Sequence, residues 1–252
     1  MTCREMNAAL DKGALTGAAA EHAAQCEKCA RLVRALERGA DAATPGNVAA
    51  IQAALLADMR PVRVLAAPGF YLAALVAVFA GAVALGIVLL HPTGWPVLSA
   101  AQRAAVFLPL AGCAVLLALW LERQMTPGRR YGAALGLAAA ALAAVLAGAM
   151  ATVFHPAAEE GFVAHGLVCL RAGLLFALPV GLAIRFILSR GAVLQPARVG
   201  AALGLLAGLA GLAVLETHCP DLNAFHIWVW HGLVVVVSTI AGLAAGRLLY
   251  KV

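Results

Sequence analysis

From Gly69 onward the chain is a run of apolar blocks, each about 18 to 24 residues long, separated by short polar breaks. At 1.5 Å per residue, a helical block of that length crosses a hydrocarbon core about 30 Å thick. In hydrocarbon the backbone has no water to bond, so each block must satisfy its own N–H and C=O groups as a helix. The blocks also lack the polar face that a helix on a soluble core would carry. Six spans are read, over Gly69–Leu90, Ala104–Leu121, Gly132–Phe154, Gly166–Ile187, Val199–Leu215 and Trp228–Tyr250. The first apolar block begins late, after a mixed polar and charged stretch, so no cleavable signal peptide is expected.

Charge sets the orientation. Of the 252 residues 63% are hydrophobic and only 12% charged, with a net charge of +6. That excess is not a nucleic-acid footprint, because it is spread by topology. Arg123, Arg129 and Arg130 follow the second span, Arg185, Arg190 and Arg198 the fourth, and Arg247 and Lys251 close the last. These share a side with the N-terminal head, leaving Arg103 and Arg171 for the other side. The positive-inside rule then places both termini in the cytoplasm of a multi-pass inner-membrane protein, as an even number of spans requires. The head is close to neutral and has no basic patch for direct nucleic-acid binding.

The head carries His22-Ala-Ala-Gln-Cys26-Glu-Lys-Cys29, with Cys3 upstream. Zinc takes four tetrahedral ligands from thiolate and imidazole, and CxxC pairs commonly supply two of them. His22 and Cys26 share one face of a helix, but His22 to Cys29 would span roughly 10 Å of helical rise. Shared ligation therefore predicts a helix break near Gln25–Cys26. Reduced cytosolic thiols favour metal over a structural disulfide; ordinary small core residues, or a redox dithiol, are the other readings of the CxxC. Beyond, Ala30–Arg38 reads as a helix, Gly39–Asn47 as a linker and Val48–Met59 as a second helix. The stripe Ile51, Leu55, Leu56 and Met59 reads either as packing on the head or membrane surface, or as a partner-binding face.

Cys3 followed by His22-x-x-x-Cys26-x-x-Cys29, ahead of helices and a membrane anchor, resembles the zinc-binding anti-sigma domain. The resemblance covers roughly residues 1 to 60 and implies a small helical domain that sequesters an ECF-type sigma factor, with zinc as cofactor. The stretch between Cys3 and His22 is a few residues shorter than that family's pattern.

The remaining histidines, His91, His155, His165, His218, His226 and His231, all fall at the extracytoplasmic ends of the spans, together with Cys169 and Cys219. Imidazole and thiolate bind soft or borderline metals, and an exposed thiol is oxidisable. Each histidine taken singly also reads as a tolerated polar tip, and Trp228 and Trp230 as an interfacial belt. Arg171 lies inside span four, so it should face the bundle interior or snorkel outward; Glu216 and Asp221 are its candidate partners. The glycines at 200, 204, 208 and 211, and Gly132 with Gly136, read as close helix packing within the bundle. Cys113 reads as a small buried residue.

Cys169-Leu, Leu178-Pro179 and Cys219-Pro220…His226…Trp230-His231 resemble the NrsF-type membrane anti-sigma factors over about residues 65 to 250. That resemblance implies a sensing bundle, with Cys169 and Cys219 in the response; the zinc-type head is an addition to it. The combined expectation is an all-α protein: a cytoplasmic zinc-binding domain (1–60), a juxtamembrane linker (61–68) and a six-span sensor domain (69–252) in membrane lipid. Its function is to hold an ECF-type sigma factor and release it when Cys169, Cys219, His165, His218, His226 and His231 sense a metal or oxidant. No enzymatic motif is present. A small metal or solute permease with a metal-binding regulatory head is the alternative, and a membrane thiol enzyme the third reading.

Overall fold

The computed structural model describes residues 2–10, 17–42, 45–57, 65–125, 133–157 and 160–249. Among them the chain is all-α, with one isolated bridge between His155 and Asn223 in place of any strand. It divides into two compact units, Met1–Arg63 and Val64–Val252.

The first unit holds α1 (Cys3–Leu10), α2 (Ala18–Gln25), α3 (Glu27–Ala42) and α4 (Pro45–Ala57). Its small core gathers Met6, Ala19, Ala23 and Cys29, with Leu10 and Val33 packed against them. The helix breaks at Cys26, which is extended at φ −112°, ψ 109°. The reading of Gly39–Asn47 as a linker is corrected. Helix α3 runs through Gly39 to Ala42, and α4 begins at Pro45, leaving only 43–44 outside the described residues. A proline in the first turn loses no helical bond, because the N–H it lacks would have been unpaired there. Val48, Ile51, Leu55 and Leu56 are exposed, so the apolar stripe of α4 is not covered within this unit; Met59 lies outside the described residues.

The second unit contains α5 (Pro68–Leu90), a 3-10 turn (Trp95–Val97), α6 (Ala100–Gln124), α7 (Ala133–Val153), α8 (Phe162–Leu188) and α9 (Pro196–His218). A short α10 (Ala224–His226), a π-turn (Ile227–His231) and α11 (Gly232–Leu249) complete the last apolar segment. Among the described residues, six helices are long and apolar enough to cross a membrane. Several run a turn or more past the apolar blocks, because capping and polar ends extend them. Helix α6 starts at Ser99–Gln102, a reciprocal cap in which each side chain accepts the other's backbone N–H.

Helix α9 is the centre: 72% of its apolar window is buried, against 11 to 39% for the other five. Its glycines explain how neighbours come so close. A Cβ on Gly200 would stand 2.2 Å from the Gly242 carbonyl, and one on Gly204 2.1 Å from that of Ser238, both in α11. Gly211 meets the Gly173 carbonyl of α8 in the same way, at 2.4 Å. The stripe therefore packs α9 inside its own bundle. Gly136 sits near Trp120, and Gly132 lies outside the described residues. Cys113 is fully buried, its thiol on the Ala139 carbonyl. Large apolar side chains on the outer surfaces, such as Leu108, Leu137 and Leu175, are exposed, as lipid contact requires.

Two candidate metal centres

The head centre is built by the break at Cys26. Its backbone N–H donates to the His22 carbonyl at the end of α2, and its own carbonyl accepts from Ala30 at the start of α3. Cys26 is thus the N-cap of α3 and Cys29 its third residue, so both thiols sit at the positive end of that helix. Helix α1 brings Cys3 to the same point. Its Sγ lies 3.5 Å from Nε2 of His22 and 3.8 Å from Sγ of Cys26. The four donor atoms of Cys3, His22, Cys26 and Cys29 all fall within 4.8 Å of one another. A tetrahedral zinc site with bonds of about 2.3 Å to sulfur and 2.0 Å to nitrogen has donor–donor edges of about 3.5 to 3.8 Å. The donor set fits zinc in identity and number, and the Cys3–His22 and Cys3–Cys26 separations match two of those edges. The two CxxC thiols differ: the Cys29 backbone N–H lowers the Cys26 thiol, helped by the Cys3 thiol. Burial first, then the Cys3 and Cys26 thiols, push Cys29 up to about 11.

The second centre lies where the N-terminal part of α8 meets the C-terminal ends of α9 and α10. Helix α8 contributes Cys169, and Cys219 caps the C-terminus of α9. Their Sγ atoms are 3.9 Å apart, and Cys219 Sγ is 3.9 Å from Nε2 of His226. With His231, these residues again place four donor atoms within 4.8 Å. Cys219, His226 and His231 are buried and Cys169 half-buried. The neighbouring Cys169 thiol, followed by burial, raises the Cys219 thiol above its ordinary value.

Of the six residues expected to sense, the structure brings together Cys169, Cys219, His226 and His231. His165 and His218 are not among these four. The His218 ring Nδ1 donates to the His91 carbonyl at 3.0 Å, and the Thr93 hydroxyl donates to the backbone carbonyl of His218. His165 is exposed, and its backbone N–H donates to the Gly161 carbonyl at 2.9 Å. Arg171 is exposed on α8, so it does not face the bundle interior. The carboxylates considered for it are engaged elsewhere. Glu216, buried at the end of α9, accepts from Nδ1 of His231 at 2.7 Å, and Oδ2 of Asp221 lies 3.3 Å from Nδ1 of His226. Sequence reasoning missed these partnerships. Asp221 and His226 are near neighbours in sequence, which is a usable signal; Glu216 and His231 are 15 residues apart, with none.

Fold and site together define an all-α protein whose described residues include six helices compatible with a multi-pass membrane protein and two clusters of four Cys/His donors. Residues 55–251 match the family described as NrsF, negative regulator of sigma F, and the chain belongs to that family. A sigma factor is therefore the partner class the family implies. The match begins inside α4, so the whole head centre lies ahead of it. No curated protein and no solved structure matches the chain.

Proposed function

We propose that the protein is an inner-membrane anti-sigma factor whose head, 1–60, holds an ECF-type sigma factor at the cytoplasmic face. It is a regulator, not an enzyme. The observation that carries this reading is the family match over 55–251 joined to a four-donor Cys/His head immediately before it. Zinc held by Cys3, His22, Cys26 and Cys29 locks α1 against the α2–α3 corner and so gives a domain with a very small core its shape. The exposed stripe of α4 supplies an apolar face for a helical partner. Both termini are cytoplasmic, which puts the second centre on the extracytoplasmic side. There a metal or oxidant acts on Cys169 and Cys219 with their histidines and favours the sigma-releasing state of the bundle. Release requires that the stimulus bind the two states unequally, with a coupling of about 1–3 kcal/mol.

The test is co-purification of the full chain, in detergent or nanodiscs, with each ECF-type sigma factor of the host, followed by transcription with RNA polymerase. A one-to-one complex that blocks transcription, with zinc retained, is the expected result. A folded, metal-loaded protein that captures no sigma factor would overturn the reading.

A further inference from the structure

The last apolar segment departs from α-helical geometry at one place, and the departure decides which side chains meet. Residues five apart on an α-helix point about 140° away from each other. His226 and His231 are five apart, yet their rings meet edge to face, with centroids 5.5 Å apart. The π-turn Ile227–His231 is the reason, since the Gly232 N–H reaches back five residues to the Ile227 carbonyl. A π-turn widens the helix to more than four residues per turn and brings i and i+5 onto one side. Such turns are unfavourable in isolation and collect at functional sites.

Each imidazole is then held from behind. Asp221 sits against Nδ1 of His226 and is itself fixed, because its Oδ1 accepts the Asn223 N–H at 2.8 Å. Glu216 takes Nδ1 of His231. That leaves Nε2 of His231 buried with no hydrogen-bond partner, although a polar atom sealed from water normally has one. A carboxylate behind a histidine whose other nitrogen is directed at a shared point is the outer-shell pattern of metal-ligating histidines. The spacing agrees. The Cys169–Cys219 separation of 3.9 Å is close to one edge of a tetrahedron of thiolates about 2.3 Å from zinc, and nearly twice a disulfide bond of about 2.05 Å.

We propose that Cys169, Cys219, His226 and His231 form a tetrahedral site for one borderline divalent cation of the zinc and cadmium type. Glu216 and Asp221 are its positioning residues, and the π-turn is the element that completes it. The proposal rests on reading this cluster as the sensing site and narrows the stimulus to a bound cation. Two thiolates and two imidazoles match that class of ion, whereas an oxygen-ligated cation such as magnesium would find no first-sphere oxygen among the four.

The experiment uses the full chain in nanodiscs with the head silenced by Cys26→Ser and Cys29→Ser, titrated with Co²⁺ and Zn²⁺ under reducing, anaerobic conditions. One equivalent should bind, with the visible bands of tetrahedral cobalt and a charge-transfer band of two thiolates. Cys219→Ser and His231→Ala should abolish both, with His231→Gln as the milder variant if alanine disturbs folding. Glu216→Gln and Asp221→Asn should keep the tetrahedral spectrum but bind 10- to 100-fold more weakly, and Glu216→Asp should recover part of the loss. Absence of metal uptake by the folded, head-silenced chain overturns the proposal. So does uptake indifferent to Cys219 and His231, or a chain that yields only a Cys169–Cys219 disulfide on oxidation. Sigma retention is measured in parallel on the chain with an intact head. Stoichiometric binding by these ligands without sigma release upholds the site and sinks the sensing reading instead.

Discussion

Two cysteines three residues apart in the head, both at the N-terminal end of α3, differ because Cys26 accepts a backbone N–H and Cys29 is buried in the core. Cys26 receives the Cys29 backbone N–H and titrates low; Cys29 is buried and titrates near 11. In the metal-free head, the lowered Cys26 favours folding above the ordinary thiol value, and that contribution is lost as pH falls. The raised Cys29 favours folding below the ordinary thiol value, and its contribution is lost as pH rises toward about 11. Iodoacetamide at mildly alkaline pH should therefore modify Cys26 before Cys29 in the apo protein, as peptide mass mapping would show. Zinc should protect both. Equal rates in the apo state would contradict the capping geometry.

Gly166 poses a residue-scale test in the bundle. A Cβ there would lie 2.0 Å from the Trp230 indole, which occupies the space against α8 and also packs on Phe162. Trp230 sits inside the π-turn, next to His231. Gly166→Ala should cost roughly 1–3 kcal/mol by overpacking, read as a lowered melting temperature. It should also weaken metal binding at the second centre more than Gly81→Ala, a position where a Cβ meets nothing within 4 Å.

Among elements, the α9–α11 contact carries the architecture. Gly200 and Gly204 meet backbone atoms, not flexible side-chain ends, so neither helix can yield locally. Gly204→Val should force the helices apart and lower the thermal stability of the bundle by at least about 2 kcal/mol. Gly148→Val, on open surface, should be close to neutral. A melt in matched detergent compares them; equal effects would mean that α9 and α11 are not in backbone contact. The opposite end of α9 is fastened differently. The Gly94 N–H donates to the Thr217 carbonyl, and Ala224 donates to that of His155, so two interhelical loops hold the segment bearing Cys219 and Asn223.

On the scale of the whole molecule, the proposed topology, with both termini cytoplasmic, can be tested on the thiols of the two centres. In right-side-out spheroplasts, a membrane-impermeant maleimide should label the half-buried Cys169 but not Cys3, Cys26 or Cys29; the reverse pattern would invert the topology. Chelation of the purified protein should remove metal from the head and with it the bound sigma factor. With zinc in the head as proposed, a core as small as Met6, Ala19, Ala23 and Cys29 would depend on that metal for its shape.

The spans were legible because lipid leaves a chain little choice: each apolar block must be a helix of fixed minimum length, whatever its neighbours do. The break at Cys26 was legible for a similarly local reason, since one ion cannot reach His22 and Cys29 along a straight helix. The α3–α4 junction was misread because Gly39, Pro45 and Gly46 signal a linker locally, yet a glycine is tolerated inside a helix and a proline at its start. The sequence also supplied the chemical types at the second centre, but six histidines and two cysteines at one end of a bundle do not say which ones share a point. That selection is tertiary. The packing of α8 on α9 brings Cys169 to Cys219 across 50 residues. A π-turn, invisible to a 3.6-residue periodicity, turns His231 toward His226, and Glu216 holds it there. Local patterning determined the helices and the donor types; only the fold decided which donors face one another.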